Sequence, residues 1–265
     1  MSVTSENKQA FAARIASPAT GVVITGGASG LGLASAEALA AVGRPVALWD
    51  LSEEQAAVRA REIADAYGVA AAGFGIDVRD VDAIAEGAAR TRAALPSIGG
   101  IVHCAGIVDT GSLEGVTVDT WDSGINVHLR PIPFLIQAFL DDLRAQPGSA
   151  IVATSSINAT LGNAANPIYT AGKGGVLSLV RSLADRLGRD GIRINAISPG
   201  QIRTPMTQPS IDARGEERFT DRILLGRLGE PPEIGRVVRF LLSDEASYIT
   251  AAEIVVDGGN ISSQR

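Results

Sequence analysis

Lysine is nearly missing from this chain. Among 265 residues only Lys8 and Lys173 are lysines, and the other basic side chains are arginines. A lysine inside the fold of so lysine-poor a protein stands out as a functional candidate. Histidine is equally scarce, with only His103 and His128. The single cysteine, Cys104, cannot form an internal disulfide, which fits a reducing, cytoplasmic location. The formal net charge is -6 and no basic run occurs, which argues against binding the phosphate backbone of a nucleic acid. No stretch approaches the roughly 18 apolar residues of a membrane span. Residues Met1 to Thr20 mix Glu6, Lys8 and Arg14 with small polar side chains. They lack the apolar core of a secretory leader and read as an N-terminal extension with a short amphipathic helix around Gln9 to Ala16. No repeat, low-complexity tract, linker or metal-ligating cluster is expected.

What is present is a hydrophobic fraction of 46%, ample for one α/β core, arranged as alternating strand and helix signals. Gly21 to Thr25 is an apolar run that ends at glycines. Leu31, Ala34, Ala38, Leu39 and Val42 follow at helical spacing. Strands are expected at Pro45 to Trp49, Val69 to Ile76, Gly100 to Cys104, Ala150 to Thr154, Arg193 to Ile197 and Glu253 to Val256. Between them lie a helix from Ser52 to Tyr67 stopped by Gly68, one marked by Val81 and Ile84, and one from Thr117 to about Arg144. A long one starts near Pro167, and a last one is lined by Ile234 and Val238. This alternation predicts a single doubly wound α/β domain over residues 21–265, a seven-stranded parallel sheet covered on both faces. Only Pro205 to about Arg227 is polar and aperiodic, which marks it as a loop.

The segment Thr25 to Gly32, T-G-G-A-S-G-L-G, joins the first strand to the first helix. Glycines at such a turn let the backbone approach a phosphate, and the helix N-terminus offers free N–H groups and a positive dipole end. Gly26, Gly30 and Gly32 do not follow the common G-x-G-x-x-G spacing. Asp50 ends the second strand about twenty residues on, where an acid can bind ribose hydroxyls and repel a 2′-phosphate. With Ser29 and Leu51 nearby and no arginine or lysine adjacent, the pattern favours NAD over NADP. Asp77 ends the third strand as a weaker candidate for the adenine edge.

Several motifs in order resemble the short-chain dehydrogenase/reductase family from Val22 to Gly259: the glycine turn, Tyr169-Thr-Ala-Gly-Lys173, Pro199-Gly200 with Thr204, and Val256-Asp257-Gly258-Gly259. The family's catalytic serine, thirteen residues before the tyrosine, falls on Ser156, with Ser155 and Thr154 as alternatives. The resemblance implies a cofactor set of Gly26, Ser29, Gly30, Leu31, Gly32, Asp50, Asp77, Val78, Cys104, Ala105, Gly106, Tyr169, Lys173, Pro199, Gly200, Ile202 and Thr204, with Asn195 near the nicotinamide. It also makes Pro205 to Arg227 the substrate loop and implies a homotetramer. The chemistry is coherent on its own terms. Tyr169 and Lys173 are i and i+4 on one helix face. A phenol titrates near ~10, and a neighbouring ammonium and a cationic nicotinamide are expected to lower it. Ser156 can hydrogen-bond a substrate oxygen as alkoxide character develops.

Two departures stand out. The family's N-N-A-G is here His103-Cys104-Ala105-Gly106, with Cys104 expected as a packed thiol. The family's catalytic asparagine in V-N-L is here Val127-His128-Leu129. Pro131 and Pro133 lack N–H groups and should leave the carbonyls of Val127 and Leu129 without helical partners. His128 is therefore a fourth catalytic candidate, either in a proton relay or lining the pocket. The implied activity is hydride transfer between NAD and a secondary alcohol or ketone, such as a hydroxysteroid or other bulky cyclic or aryl alcohol. A 3-oxoacyl reductase is the second reading, and a noncatalytic NAD-binding module the third.

Overall fold

Seven parallel strands form one sheet: β1 (Gly21–Thr25), β2 (Val46–Asp50), β3 (Ala71–Gly75), β4 (Ile98–His103), β5 (Ala150–Thr154), β6 (Arg193–Pro199) and β7 (Glu253–Val256). The computed structural model describes residues 12–264. The strand order is β3-β2-β1-β4-β5-β6-β7, and the seven parallel strands are those the alternating pattern predicts. The helices are α1 (Gly30–Ala40), α2 (Glu53–Tyr67), α3 (Val81–Ala94), α4 (Val118–His128), α5 (Pro131–Ala145), α6 (Asn158–Leu161), α7 (Pro167–Gly188), α8 (Gln208–Arg214), α9 (Glu217–Thr220) and α10 (Pro231–Leu241).

Every residue of β1, β4, β5 and β6 is buried; β1 and β5 read as nearly continuous apolar runs, while β6 also buries Arg193, Asn195 and Ser198. Successive residues serve opposite faces. Val23, Ile101, Ile151 and Ile194 pack with Ile84 of α3, Phe139 of α5 and Val180 of α7. Val22, Ile24, Leu48 and Val152 pack with Leu39 of α1 and Val238 of α10. Each fully buried aliphatic side chain of this kind contributes about 1.5–3 kcal/mol. Local signals place the boundaries. The Ser52 hydroxyl accepts from the Gln55 N–H at the start of α2, and Gly68 closes it at φ 66°. The chain leaves β1 toward β2 on one side and β4 toward β5 on the other. Between the carboxyl ends of β1 and β4 this opens a crevice, where ligands bind in open α/β sheets.

Three expectations differ. Residues 9–11 of the expected N-terminal helix lie outside the described residues, and residues 12–16 form bends and turns rather than a helix. There Arg14 and Ser17 reach across to Asp244, so tertiary contacts set the path. The helix expected from Thr117 to Arg144 is two, α4 and α5, interrupted at Leu129 and Arg130 ahead of Pro131. Finally, 205–227 contains α8 and α9, held by a small core of Ile211, Ile223 and Leu228. Two short helices on so few apolar residues leave no steady period to read.

Candidate active site

The glycine turn forms one wall of the crevice. Gly26 has φ 63°, and a Cβ there would stand 3.0 Å from the Ala105 backbone. At Gly32 a Cβ would fall 2.1 Å from the Gly26 carbonyl oxygen. Neither position tolerates a side chain without moving backbone. Ser29 precedes α1 without capping it through its hydroxyl, and the first turn of α1, Gly30 to Gly32, lines the crevice. The Asp50 carboxylate accepts the Ala28 N–H at 3.1 Å, which fixes it beside the turn.

A cleft of about 380 Å³ brings together every cofactor candidate taken from the turn, the strand ends and the two later loops, from Gly26 to Thr204. Its lining includes Gly26, Ser29, Gly30, Leu31, Gly32, Asp50, Asp77, Val78, Cys104, Ala105, Gly106, Pro199, Gly200, Ile202 and Thr204, together with Ser156, Tyr169 and Lys173. Asn195 is not there. It is fully buried on β6, donating to the Ile249 carbonyl at 2.9 Å and accepting from Ala252 N–H at 3.0 Å, so it ties the sheet edge instead.

At the far end, α7 carries Tyr169 and Lys173 one turn apart. Ser156 lines the same cleft as Tyr169, and its hydroxyl accepts the Asn158 N–H at 3.2 Å. The alternatives are engaged elsewhere: the Ser155 hydroxyl donates to the Lys173 carbonyl at 2.8 Å, and Thr154 Oγ1 lies 3.2 Å from Cys104 Sγ. Lys173 is 3% exposed and donates from Nζ to the Thr154 carbonyl at 2.7 Å. Burial pulls its ammonium down to about 8. Burial also pushes the Tyr169 phenol up, and the nearby Ser156 hydroxyl only partly opposes it. The expected lowering by Lys173 is thus not met by the chain alone. The ammonium stands 5.6 Å from the ring centroid, and desolvation of the phenolate outweighs it. Burial likewise raises the Cys104 thiol, which fits a packed rather than a reactive sulfur.

The two histidines lie behind the cleft. His103 Nδ1 is 2.8 Å from Thr25 Oγ1, and its Nε2 is 3.1 Å from the Val127 carbonyl oxygen. Since a carbonyl only accepts, Nε2 carries the proton and Nδ1 accepts from the threonine hydroxyl. His128 closes α4 outside the cleft lining, with Nε2 2.8 Å from the Ile107 carbonyl and its ring edge-on to Tyr169 at 5.2 Å between centroids.

Two site residues escaped the sequence reading. Arg79 lines the cleft beside Asp77, where no arginine was expected, and forks onto Asp77 with bonds of 2.6 to 2.9 Å. That pairing holds the Asp77 carboxyl below its usual range. The D-V-R spacing of Asp77 to Arg79 was the available signal. Asp109 is the other. Its carboxylate accepts the N–H groups of Ile168 at 3.2 Å and Tyr169 at 2.9 Å, capping α7 from a distant loop. Nothing local in sequence announces a cap separated by 60 residues.

Residues 26–260 match the family model described as enoyl-(acyl carrier protein) reductase. The chain belongs to the short-chain dehydrogenase/reductase family. It is 36% identical over 245 residues to a probable galactose dehydrogenase of Rhizobium meliloti, covering 90% of this chain and 94% of that protein. It is 35% identical over 242 residues to a 3-alpha-(or 20-beta)-hydroxysteroid dehydrogenase of Mycobacterium tuberculosis, covering 90% and 88%. The structure of L-sorbose reductase from Gluconobacter frateurii, complexed with NADPH and L-sorbose, superposes with a TM-score of 0.85 at 26% identity, covering 90% of this chain and 95% of that one. This family member is therefore an oxidoreductase that uses a nicotinamide cofactor and acts on small-molecule alcohols and ketones. Among the described residues no helix is long and apolar enough to cross a membrane.

Proposed function

We propose that this short-chain dehydrogenase/reductase passes hydride between NAD and a secondary alcohol or its ketone, with Tyr169 as the general acid/base. The observation that carries this reading is one cleft with Asp50 at its glycine-turn end and the Ser156–Tyr169–Lys173 group at the other. The crevice residues fit a dinucleotide: a side-chain-free turn, an open helix N-terminus and an acid placed for ribose hydroxyls. When bound, the nicotinamide accepts or returns the hydride. In the oxidative direction the Tyr169 oxygen takes the carbinol hydroxyl proton as the hydride leaves carbon, and Ser156 orients the same substrate oxygen. In the reductive direction Tyr169 returns the proton to the carbonyl oxygen. Lys173 supports the phenolate with its charge and is placed to hold ribose hydroxyls.

For the substrate we favour a bulky cyclic alcohol, such as a hydroxysteroid or aryl carbinol. Ile107 and Met206, 41 and 47% exposed, give the cleft that holds Tyr169 an apolar lining. For assembly we favour a homotetramer, with exposed Val118 and Trp121 on α4 and Tyr248 and Val255 around β7 as the faces to be covered. Light scattering after size exclusion tests this. The activity test is NADH formation from NAD or NADP with hydroxysteroids, aryl carbinols, sugar alcohols and short diols, alongside Tyr169→Phe. NAD-linked turnover that vanishes in the variant supports the reading, and turnover with NADP alone overturns the assignment of Asp50.

A further inference from the structure

Among the described residues, Arg79 and Asp77 are the only ion pair with both partners in the lining of the cleft. Three N–H groups of Arg79 hold the one carboxylate. The backbone N–H meets Oδ1 at 2.9 Å, Nε lies 2.9 Å from both oxygens, and Nη2 meets Oδ2 at 2.6 Å. A carboxylate has about four acceptor places, so one is left over. The two side chains are 47 and 35% exposed. A pair so exposed adds little to stability. What the fork fixes is the direction and the charge of the carboxylate, and the same bonds hold the Asp77 carboxyl below its usual range. The next residue supplies the opposite kind of group. Val78 lines the cleft, and its N–H has no hydrogen-bond partner among the described residues. One acceptor and one donor thus stand on adjacent residues. They follow β3, which pairs with β2 at the sheet edge, so they lie beyond Asp50 on the side away from Ser156 and Tyr169.

With a ribose at Asp50 and the reacting ring at Tyr169, the base of the second nucleotide falls at this outer end. An adenine edge carries a 6-amino donor beside the N1 acceptor, the complement of a carboxylate beside an N–H. Hypoxanthine inverts both groups, with an oxygen at position 6 and a hydrogen on N1. We propose that Arg79 is a positioning residue that aims the free acceptor place of Asp77 at the 6-amino group of the base, so that the cleft selects a 6-aminopurine dinucleotide over its 6-oxo counterpart. The inference rests on the reading of the cleft as an NAD site. Arg79 acts through Asp77 and not on the base, because its fork is already turned onto the carboxylate. The selection arises because polar groups matched to one edge are left unpaired or opposed by the other.

The test is a pair of binding constants, read without turnover. NADH and reduced nicotinamide hypoxanthine dinucleotide are titrated into the protein and followed by nicotinamide fluorescence. The parent should bind NADH at least about tenfold more tightly than the hypoxanthine form. Arg79→Leu keeps the bulk and removes the fork. Its preference should fall to within about twofold, through weaker binding of NADH alone. The hypoxanthine form should bind it as it binds the parent, which also reports an intact fold. Asp77→Ala should lose the preference in the same way, and adding Arg79→Leu to it should change nothing further. An Arg79→Leu variant that weakens both dinucleotides equally would put Arg79 on the cofactor itself and overturn the proposal. A parent with no preference between the two also overturns it. A parent that binds neither dinucleotide removes the reading of the cleft and the proposal with it, a failure distinct from any change in the ratio.

Discussion

His103 donates from Nε2 to the Val127 carbonyl at 3.1 Å, the carbonyl from which Pro131 withholds the N–H that would continue the helix. The two departures from regular pattern therefore compensate each other. Proline opens the helix between α4 and α5, and a histidine from the neighbouring strand satisfies the oxygen so released. His103→Leu should leave Val127 and Thr25 short of partners and lower unfolding free energy by about 2–3 kcal/mol in urea titrations. Adding Pro131→Ala restores an N–H at the break and should recover part of that loss. Strict additivity of the two changes would refute the coupling.

The same histidines set an acid sensitivity. Burial pushes His103 to about 3 and His128 to about 2, both from an ordinary value of 6.5. Below about pH 6.5 the unfolded chain takes up protons that the native state refuses, so stability present above that pH is lost as pH falls toward 3. Each histidine contributes a slope of about 1.4 kcal/mol per pH unit within that window. Urea unfolding between pH 6.5 and about 5 should show a shallower decline for His103→Gln than for the parent. Parallel declines would mean that His103 is charged in the native protein.

Tyr169→Phe should lower kcat by about 10²-fold or more in both directions while leaving NADH binding intact. Stopped-flow turnover and cofactor fluorescence measure the two separately. A variant that turns over normally would remove Tyr169 from the proton step.

Asp50→Ser takes away the carboxylate held at the glycine turn. The ratio of kcat/KM for NAD to that for NADP should fall by at least about tenfold, since a like charge no longer meets the 2′-phosphate. Arg79 also lines the cleft, and it would have to leave its fork on Asp77 to meet the phosphate. An unchanged ratio would show that discrimination lies elsewhere.

Asp109→Ala removes the carboxylate from the first turn of α7. A lost cap of this kind costs about 1 kcal/mol, and here it also loosens the backbone of Tyr169 itself. Thermal unfolding should register the first effect, and a fall in kcat larger than any change in KM the second. Equal stability of parent and variant would dismiss the cap.

The parts of this molecule that were legible in the sequence rest on short-range pattern. The buried strands appear as apolar runs, and Ser52 and Gly68 mark the ends of one helix. The glycine turn and the i, i+4 spacing of Tyr169 and Lys173 state their geometry within a few residues. What was hidden depends on partners far along the chain. Asn195 looked like a cofactor neighbour until Ile249 and Ala252 were seen to hold it. Asp109 acts on residues about 60 positions away. The direction of the Tyr169 shift depends on how deeply the phenol is buried, a property of the packed fold that no spacing encodes.

The burial of Lys173 has one more consequence. Among residues 12–264 it holds the sole ε-amino group, and that group lies at the floor of the cleft. An acylating or aldehyde reagent therefore finds no lysine on the described surface and can reach this one only through the cleft. Amine labelling of that stretch becomes a gauge of whether the cleft is filled: saturating dinucleotide should protect it, and emptying the cleft should restore the label.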